Sequence, residues 1–434
     1  MSTKTFKGGV HPPEFKELTE SCSLEVLPPP NQIVIPMVQH IGAPCEPTVG
    51  EGDRVSEGQI IGNTDSFVSA PVHASISGTV EELGHINLPD GSKVQAVTIK
   101  ADEESEAPLS ATDRNPDNMS PDEIRDAVRE AGIVGMGGAA FPTHVKYSPP
   151  PEVEIDTIVL NGCECEPFLT CDHRVMLEEA DDIILGLEII MKVCEAEHGI
   201  IGVEDNKEDA AAVLREAIGD RPLEVHLLET KYPEGAEKQM IDAVLGREVP
   251  SGGLPLDIGV VVNNVATAVS VARAVTQDKP LIERPVTVTG DVVEQPKNFL
   301  VRIGTPVRTL LEAAGGFSEE PSRIILGGPM MGTAIYDLDT PVLKGTSGVV
   351  ALSSDLAADI QEDPCIRCSR CVDVCPISLL PLYLAEYNHE TALDYNPMDC
   401  IECGSCSYIC PSNLQLVQRI RLTKAKAQAQ QEDS

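Results

Sequence analysis

The hydrophobic pattern predicts two aliphatic strands that end in asparagine. An uninterrupted apolar run predicts a strand over residues 157–160, which ends in Asn161 and an acidic loop. A second run predicts a strand over residues 260–262, followed by the asparagine pair 263–264 and by a helix from about Ala266. Ligands of α/β proteins bind at the carboxyl ends of the strands. The two strand ends are therefore a candidate binding site, although each asparagine would also suit a helix cap.

The pattern outside this region predicts further modules. Short strands broken by turn glycines are predicted at residues 49–62 and 70–80. An acidic, proline-containing linker follows at residues 101–123, and its last four residues, SPDE at 120–123, predict a helix start with a capping box. Residues 284–317 predict strands and then a helix.

Composition and charge narrow the class of protein. The 434 residues are 42% hydrophobic but only 3% aromatic, with no Trp, so several domains with aliphatic cores are expected. The formal net charge is −37, which excludes nucleic acid as a partner because the surface repels phosphates. A salt-adapted host or simple solubility would explain the acidity, and we favour the former.

Membrane spans and secretion signals are not predicted. The first ten residues lack a long apolar run, and the most apolar segment, 258–275, is interrupted by polar residues. We therefore expect a cytosolic chain whose membrane link is made by a partner. Fourteen cysteines in such a chain favour metal binding or catalysis over disulfides.

Two cysteine motifs near the carboxyl end predict iron–sulfur clusters. The sequence C-x2-C-x2-C-x3-C-P occurs twice, starting at Cys365 and Cys400, and the 377–399 segment between them has room for two short helices. In such pairs the fourth cysteine of each motif ligates the other [4Fe-4S] cluster, whereas zinc favours paired cysteines. The predicted sets are Cys365, Cys368, Cys371 and Cys410 for one cluster, and Cys375, Cys400, Cys403 and Cys406 for the other.

A glycine-rich stretch, GIVGMGGAAFPTHVK at 132–146, is the candidate for the electron source. Its glycines let backbone N–H groups approach a phosphate, and Lys146 could contact phosphate or flavin. A packing turn is the alternative. The nearby cysteines, Cys163, Cys165 and Cys171, could bind a metal, but we favour packing beside the site.

These stretches resemble a known family when they are taken together. The glycine loop to Lys146, N-x-x-E-x-E-P at 161–167, Y-x-x-G-x-E at 232–237 and N-N-V-x-T at 263–267 are similar to the flavin- and NADH-binding subunit of respiratory complex I. The whole chain resembles the RnfC subunits of Rnf electron-transport complexes, including KGGVHPPE near its start and LGGPMMG at 326–332. It departs from complex I at Met136, Cys163 and Ala236.

The resemblance implies FMN across the glycine loop, with NADH stacked on it. Hydride transfer occurs at FMN, so no catalytic side chain is expected, and single electrons then leave through the clusters. The residues implied to surround FMN and nucleotide are Gly135, Gly137, Gly138, Lys146, Asn161, Glu164, Glu166, Tyr232, Gly235, Glu237, Asn263, Asn264 and Thr267.

The expected fold is multidomain α/β and α+β. Residues 1–105 form an N-terminal segment and an all-β barrel-sandwich hybrid that resembles lipoyl carriers but has no carrier Lys. An α/β FMN/NADH-binding domain at 106–275 and a β-grasp module at 276–355, similar to soluble-ligand-binding modules but expected to act as a spacer, follow. An α-helical ferredoxin domain with two [4Fe-4S] clusters at 356–415 and a tail at 416–434 complete the chain.

The implied function is that of a subunit of an ion-translocating ferredoxin:NAD+ oxidoreductase that pumps Na+ or H+. The chain would lie on the cytoplasmic face of the cell membrane as a peripheral subunit. Its partners would be NADH, ferredoxin, the membrane flavin subunits and the iron–sulfur subunit. A soluble flavin and iron–sulfur reductase, similar to cobalamin reductase, is one alternative, but its barrel sandwich follows the clusters. An electron-transfer adaptor without NADH activity is the other.

Overall fold

The computed structural model describes residues 3–102, 112–357, 361–386 and 394–432. No helix within these ranges is long and apolar enough to cross a membrane. The predicted linker lies partly outside the described residues. Its end, Ser120, caps helix α1 (Pro121–Glu130), where the Ser120 and Glu123 side chains form the predicted capping box.

An N-terminal strap, residues 4–19, precedes the first domain. Lys4 pairs with Leu228 and Val10 pairs with Tyr232 in isolated bridges, and a short 3-10 turn follows at Lys16–Leu18. The chain then enters strand β1 (Leu24–Val26), which joins a sheet formed much later in the sequence.

The barrel-sandwich module consists of two antiparallel sheets. Their strands are β2 (Gln32–Pro36), β3 (Glu46–Pro47), β4 (Arg54–Val55), β5 (Ile60–Asn63), β6 (Val72–His73), β7 (Gly78–Asn87) and β8 (Lys93–Ala101), in the orders β2-β8-β7-β4 and β3-β5-β6. Aliphatic side chains such as Ile33, Ile61 and Ile99 fill the space between the sheets.

The α/β module has a four-stranded parallel sheet in the order β11-β10-β9-β12. Its further elements are α2 (Thr143–Lys146), β9 (Thr157–Gly162), α3 (Cys171–Glu178), α4 (Ala180–Cys194), β10 (His198–Glu204), α5 (Glu208–Ile218), β11 (Leu223–Leu228), α6 (Glu237–Leu245), β12 (Val260–Asn264) and α7 (Val265–Gln277). Both predicted strands run two residues further than expected, because Asn264 pairs with Asn161 and Gly162 pairs with Val203 of β10. The candidate asparagines therefore lie side by side at one sheet edge.

A six-stranded mixed sheet follows, in the order β1-β14-β13-β17-β15-β16. Its elements are β13 (Glu283–Thr289), β14 (Lys297–Arg302), α8 (Val307–Ala313), β15 (Arg323–Leu326), β16 (Thr333–Ile335) and β17 (Gly348–Leu352). The strands and helix predicted within residues 284–317 are present as β13, β14 and α8.

The C-terminal module is helical. Its helices are α9 (Arg370–Asp373), α10 (Pro381–Glu386), α11 (Ser405–Tyr408) and α12 (Leu416–Glu432). Of the two short helices expected at 377–399, α10 is present, a 3-10 turn lies at Pro397–Asp399, and residues 387–393 lie outside the described part. Helix α12 occupies the segment assigned to the tail, and its buried Leu416 and Ile420 pack with Leu384 of α10.

Candidate functional site

The glycine loop lies against the start of α7. The Met136 amide donates to Thr267 Oγ1 at 3.0 Å. A Cβ at Gly137 would lie 2.9 Å from Asn264 Nδ2, so only glycine allows this contact without displacement. A Cβ at Gly138 would meet nothing within 4 Å, and Gly135 is nearly as open. The loop is thus packed on one side and leaves space on the other.

The two asparagines at the end of β12 have different roles. Asn264 caps α7 by accepting from the Ala266 amide at 2.9 Å, and it donates to Asp172 at 2.6 Å. The capping alternative therefore holds for Asn264. Asn263 Oδ1 accepts from the Tyr147 hydroxyl at 3.3 Å, whereas its Nδ2 is buried without a partner among the described residues. An unpaired buried donor is costly, so it fits an acceptor on a bound group.

Residues far apart in sequence meet beside these asparagines. Lys146 Nζ lies 3.0 Å from Glu237 Oε1 and donates to the Val262 carbonyl at 2.9 Å. Asn161 Nδ2 donates to the Gly235 carbonyl at 2.7 Å. A cationic side chain, an open glycine face and a free amide donor suit a phosphorylated, heteroatom-rich cofactor such as FMN.

The side chains of Glu164, Glu166 and Tyr232 form their hydrogen bonds with other parts of the chain than the glycine loop and the asparagines. Glu164 accepts from the Asp172 and His173 amides at the start of α3, at 2.8 and 3.1 Å. The Glu166 carboxylate accepts from the Met330 and Met331 amides, and desolvation raises its pKa to about 7. The Tyr232 hydroxyl donates to the Cys403 carbonyl at 2.7 Å, and burial raises its pKa.

The cysteines at 163, 165 and 171 have separate partners in the described part of the chain. Cys165 Sγ accepts from the Gly235 amide at 3.4 Å, and Cys171 donates to the Ser347 carbonyl at 3.3 Å. Glu164, Cys171 and Asp172 do have ligand atoms within 4.8 Å of one another. The Glu164 and Asp172 carboxylates already accept the hydrogen bonds described above, so we assign this group to packing of α3.

The cluster cysteines approach one another across the two motifs. Cys375, Cys400, Cys403 and Cys406 line one small cavity. Burial and then the thiols of Cys403, Cys400 and Cys375 raise the pKa of Cys406 to about 12. Burial and then Cys410 and Cys368 raise the pKa of Cys371. Four convergent thiols are the donor set of an iron–sulfur cluster, so these residues fit the predicted groups, and the ligand sets themselves stay a prediction.

The C-terminal module docks directly on the α/β module. Gln239 of α6 donates to the Pro376 carbonyl at 3.3 Å, and the Gly252 amide donates to Asp399 at 3.0 Å. Together with the bond from Tyr232 to Cys403, these contacts place the set of Cys375, Cys400, Cys403 and Cys406 against the α/β module. On the other set, Cys368 is exposed.

Some residues of this region were missed by sequence reasoning. They are buried Lys16, Lys207 and Tyr147 and half-buried Asp172, which lie beside the acidic loop or the asparagines. Lys207 Nζ donates to the Cys163 carbonyl and pairs with buried Glu204 at 2.7 Å. No spacing signal marks these residues, because most of their partners lie tens or hundreds of positions away.

Comparison with known proteins identifies the modules and their order. Family models match in the predicted order: an RnfC barrel sandwich hybrid domain at 4–104, a Nuo51 FMN-binding domain at 128–273, an SLBB domain at 285–334 and a 4Fe-4S dicluster domain at 364–414. The fold class and the cofactors, FMN and two 4Fe-4S clusters, are thereby confirmed. The chain is an electron-transfer flavoprotein with iron–sulfur clusters.

Curated relatives then give the family. The C component of the proton-translocating ferredoxin:NAD(+) oxidoreductase complex of Clostridium ljungdahlii is 46% identical, covering 98% of this chain and 94% of the relative. The C component of the Na(+)-translocating ferredoxin:NAD(+) oxidoreductase complex of Acetobacterium woodii is 49% identical, covering 90% and 88%. The C component of an ion-translocating oxidoreductase complex of Rhodobacter capsulatus is 42% identical, covering 99% and 85%. The chain belongs to this family, the RnfC subunits of the Rnf complexes, and the soluble-reductase alternative receives no support.

Proposed function

We propose that this chain passes electrons between NADH or NAD+ and its two [4Fe-4S] clusters by way of FMN. It acts as a peripheral subunit of an ion-translocating complex. The observation that carries this proposal is the direct contact between the two cofactor regions, where the Tyr232 hydroxyl meets the Cys403 carbonyl at 2.7 Å. The names of the relatives, which include ferredoxin:NAD(+) oxidoreductase, support the same activity.

Residues of the α/β module hold FMN and nucleotide. The phosphate lies on the open face at Gly138, where the loop amides donate to its oxygens. Lys146 supplies positive charge, and Asn263 Nδ2 donates to an acceptor of the cofactor. FMN supplies the conversion of a hydride into single electrons. Asn264 and Thr267 hold the loop on α7, so they position the site from behind.

The C-terminal cysteines hold the clusters in the crossed sets predicted from their spacing. The set formed by Cys375, Cys400, Cys403 and Cys406 is next to the flavin region and exchanges electrons with it first. The set formed by Cys365, Cys368, Cys371 and Cys410, with its exposed Cys368, faces the outer partners.

The partners proposed are the other subunits of the complex and ferredoxin. The membrane flavin subunits and the iron–sulfur subunit receive or deliver the electrons, and they move Na+ or H+. The chain then lies on the cytoplasmic face of the cell membrane, bound through those subunits. The names of the relatives support membership of a multisubunit complex.

An absorption spectrum of the anaerobically purified chain, recorded before and after NADH is added, tests this proposal. We expect flavin and iron–sulfur bands that both bleach. Iron–sulfur absorption that NADH leaves unchanged would contradict NADH as the direct partner. The adaptor alternative would then be favoured, in agreement with the departures from complex I at Met136 and Ala236.

A glycine variant tests the position of the flavin. Gly138→Ala adds a methyl group that meets no protein atom within 4 Å, so a simple packing turn would tolerate it. If FMN occupies that space, the purified variant loses flavin while its iron content remains that of the wild type. Gly50→Ala in the barrel-sandwich module, where the added Cβ also has room, is the matched control. Full flavin content in Gly138→Ala would contradict the assignment.

A further inference from the structure

The N-terminal strap, residues 4–19, contacts both cofactor regions. The Lys4 amide donates to the Leu227 carbonyl at 3.1 Å, beside the end of β11. Further along, the Val10 amide donates to the Tyr232 carbonyl at 2.8 Å, and the Gly9 amide donates to the Val374 carbonyl at 2.9 Å. The strap therefore bonds to the α/β module on one side and to the first cysteine motif on the other.

Two glycines of the strap, Gly8 and Gly9, allow its backbone to lie directly against the backbone of the neighbouring segments. Gly8 and Gly9 have φ angles of 87° and 85°, a region that side chains rarely adopt. A Cβ at Gly8 would lie 3.0 Å from the Cys375 carbonyl oxygen, and one at Gly9 would lie 2.8 Å from the Tyr232 carbonyl oxygen. The nearest atom at each point belongs to the backbone, so an added methyl group must displace backbone.

Lys16 fastens the other end of the strap to the acidic loop. Its Nζ is buried and donates to the carbonyls of Glu164, Glu166 and Leu169, at 2.7, 3.0 and 2.7 Å. The loop is thus wrapped around one ammonium group. Three charge-assisted bonds from one side chain fix the loop backbone more tightly than packing alone.

We propose that the strap fixes the distance between the flavin region and the cluster held by the Cys375 set. Gly8, Gly9 and Lys16 are its positioning residues. Gly8 and Gly9 contact the backbone at Cys375 and Tyr232, respectively. Lys16 holds the acidic loop, which runs from Asn161 to the start of α3. Surrounding residues must hold functional groups to within about 0.5 Å of their working geometry. The rate of electron transfer also falls steeply with the distance between the two cofactors. The electron-transfer role rests on the proposed function, whereas the mechanical role can be tested without it.

Hydrogen–deuterium exchange of the full, cofactor-loaded chain tests the mechanical role. In Gly8→Ala we expect amides at residues 8–10 and at Val374 and Cys375 to exchange at least about tenfold faster than in the wild type. Gly52→Ala is the matched control, because Gly52 has the same φ of 87° but an added Cβ there meets nothing within 4 Å. Unchanged exchange in Gly8→Ala, or equal acceleration at these segments in Gly52→Ala, would overturn the proposal.

Rapid-mixing absorption with NADH tests the electron-transfer role. In Gly8→Ala we expect flavin bleaching at the wild-type rate and slower cluster bleaching. Cluster bleaching at the wild-type rate in Gly8→Ala would overturn this role. A wild-type chain that NADH does not bleach would instead contradict the proposed function, and the exchange result would still decide the mechanical role.

Lys16→Met keeps the proposal testable if Gly8→Ala does not fold. Met removes the three hydrogen bonds to the loop but keeps most of the side-chain volume. We expect faster exchange at residues 164–169. Lys192→Met, which removes donations to the Pro116 and Asp117 carbonyls far from the site, should leave that segment unchanged. Wild-type exchange of the loop in Lys16→Met would show that Lys16 has no positioning role.

Discussion

At the scale of single residues, five buried cationic side chains organise the described part of a chain that carries a net charge of −37. Each is at least nine-tenths buried, and they are Lys16, Lys207, Lys231, Lys344 and Arg284. Most of their partners are backbone carbonyls rather than carboxylates. A buried charge is tolerated only when it is hydrogen-bonded, so each of these cations fixes the loops whose carbonyls it binds.

Lys344 joins three modules at one point. Its Nζ donates to the Pro71 carbonyl of the barrel sandwich at 2.8 Å and to the Gly132 carbonyl before the glycine loop at 2.7 Å. Its own carbonyl accepts from Arg284 of β13. Burial lowers the pKa of Lys344 from its ordinary value of 10.5 to about 7.

This pKa shift predicts a rise in stability with pH. An unfolded Lys344 keeps its proton up to its ordinary pKa, whereas the folded one loses it near pH 7, so the unfolded state binds more protons in between. The free energy of unfolding should therefore rise between about pH 7 and pH 9, by at most about 1.4 kcal/mol per pH unit from this group. Urea midpoints measured across that window check the slope.

In Lys344→Met the free energy of unfolding should rise less steeply between about pH 7 and pH 9 than in the wild type, whatever the effect of the substitution on absolute stability. Lys192→Met, which also removes donations to two carbonyls but from a half-buried position, should keep the wild-type slope. Burial lowers the pKa of nearby His73 to about 3 and also lowers that of His40, so both stay neutral in this window. Parallel pH profiles for the wild type and Lys344→Met would contradict the prediction.

At the scale of elements, local signals predicted starts better than ends. The capping box at Ser120 and the helix after Asn264 follow from neighbouring residues, and both were predictable. The ends of β9 and β12 were not, because Gly162 pairs with Val203 of β10 and Asn264 pairs with Asn161 across the sheet. The partners of Glu166 were also hidden from the sequence, since Met330 lies 164 positions away.

Asn264 caps α7 and also contacts the glycine loop, so its substitution should change both the free energy of unfolding and the flavin content. Asn264→Ala should lose about 1 kcal/mol of unfolding free energy through the cap. It should also lose flavin, because the glycine loop packs on this side chain. Ser120→Ala removes the cap of α1, remote from the loop, and should cost a similar free energy without loss of flavin. Denaturation and flavin absorbance measure the two effects, and equal flavin content in the two variants would contradict a role for Asn264 in the site.

Helix α12 offers a second test at this scale. Ile420 is 1% exposed and packs in the core that also contains Leu384 and Cys406, whereas Leu422 on the same helix is 57% exposed. Ile420→Ala should therefore destabilise the C-terminal module by about 2–5 kcal/mol and release iron at lower temperature. Leu422→Ala should be nearly neutral. Thermal loss of iron–sulfur absorbance compares them, and equal behaviour would mean that α12 does not support the cluster module.

At the scale of the whole molecule, the order of the modules could be predicted and their assembly could not. Cysteine spacing, glycine placement and apolar runs are local patterns, so they identified each module. The insertion of Gly8 beside Cys375 and the packing of α12 on α10 depend on contacts between distant segments. Such contacts produce no residue spacing or hydrophobic periodicity that could be recognised in the sequence.

The crossed ligation of the two clusters is the prediction that spans the whole C-terminal module. Cys375 belongs to the first motif by sequence, but it lines a cavity with Cys400, Cys403 and Cys406 of the second. Crossed ligation means that Cys375→Ala combined with Cys400→Ala damages one cluster, so about half of the iron remains. Cys375→Ala combined with Cys365→Ala then damages both clusters. Ligation within each motif predicts the reverse, so iron analysis and low-temperature EPR of the two double variants, each carrying the same number of substitutions, decide between the arrangements.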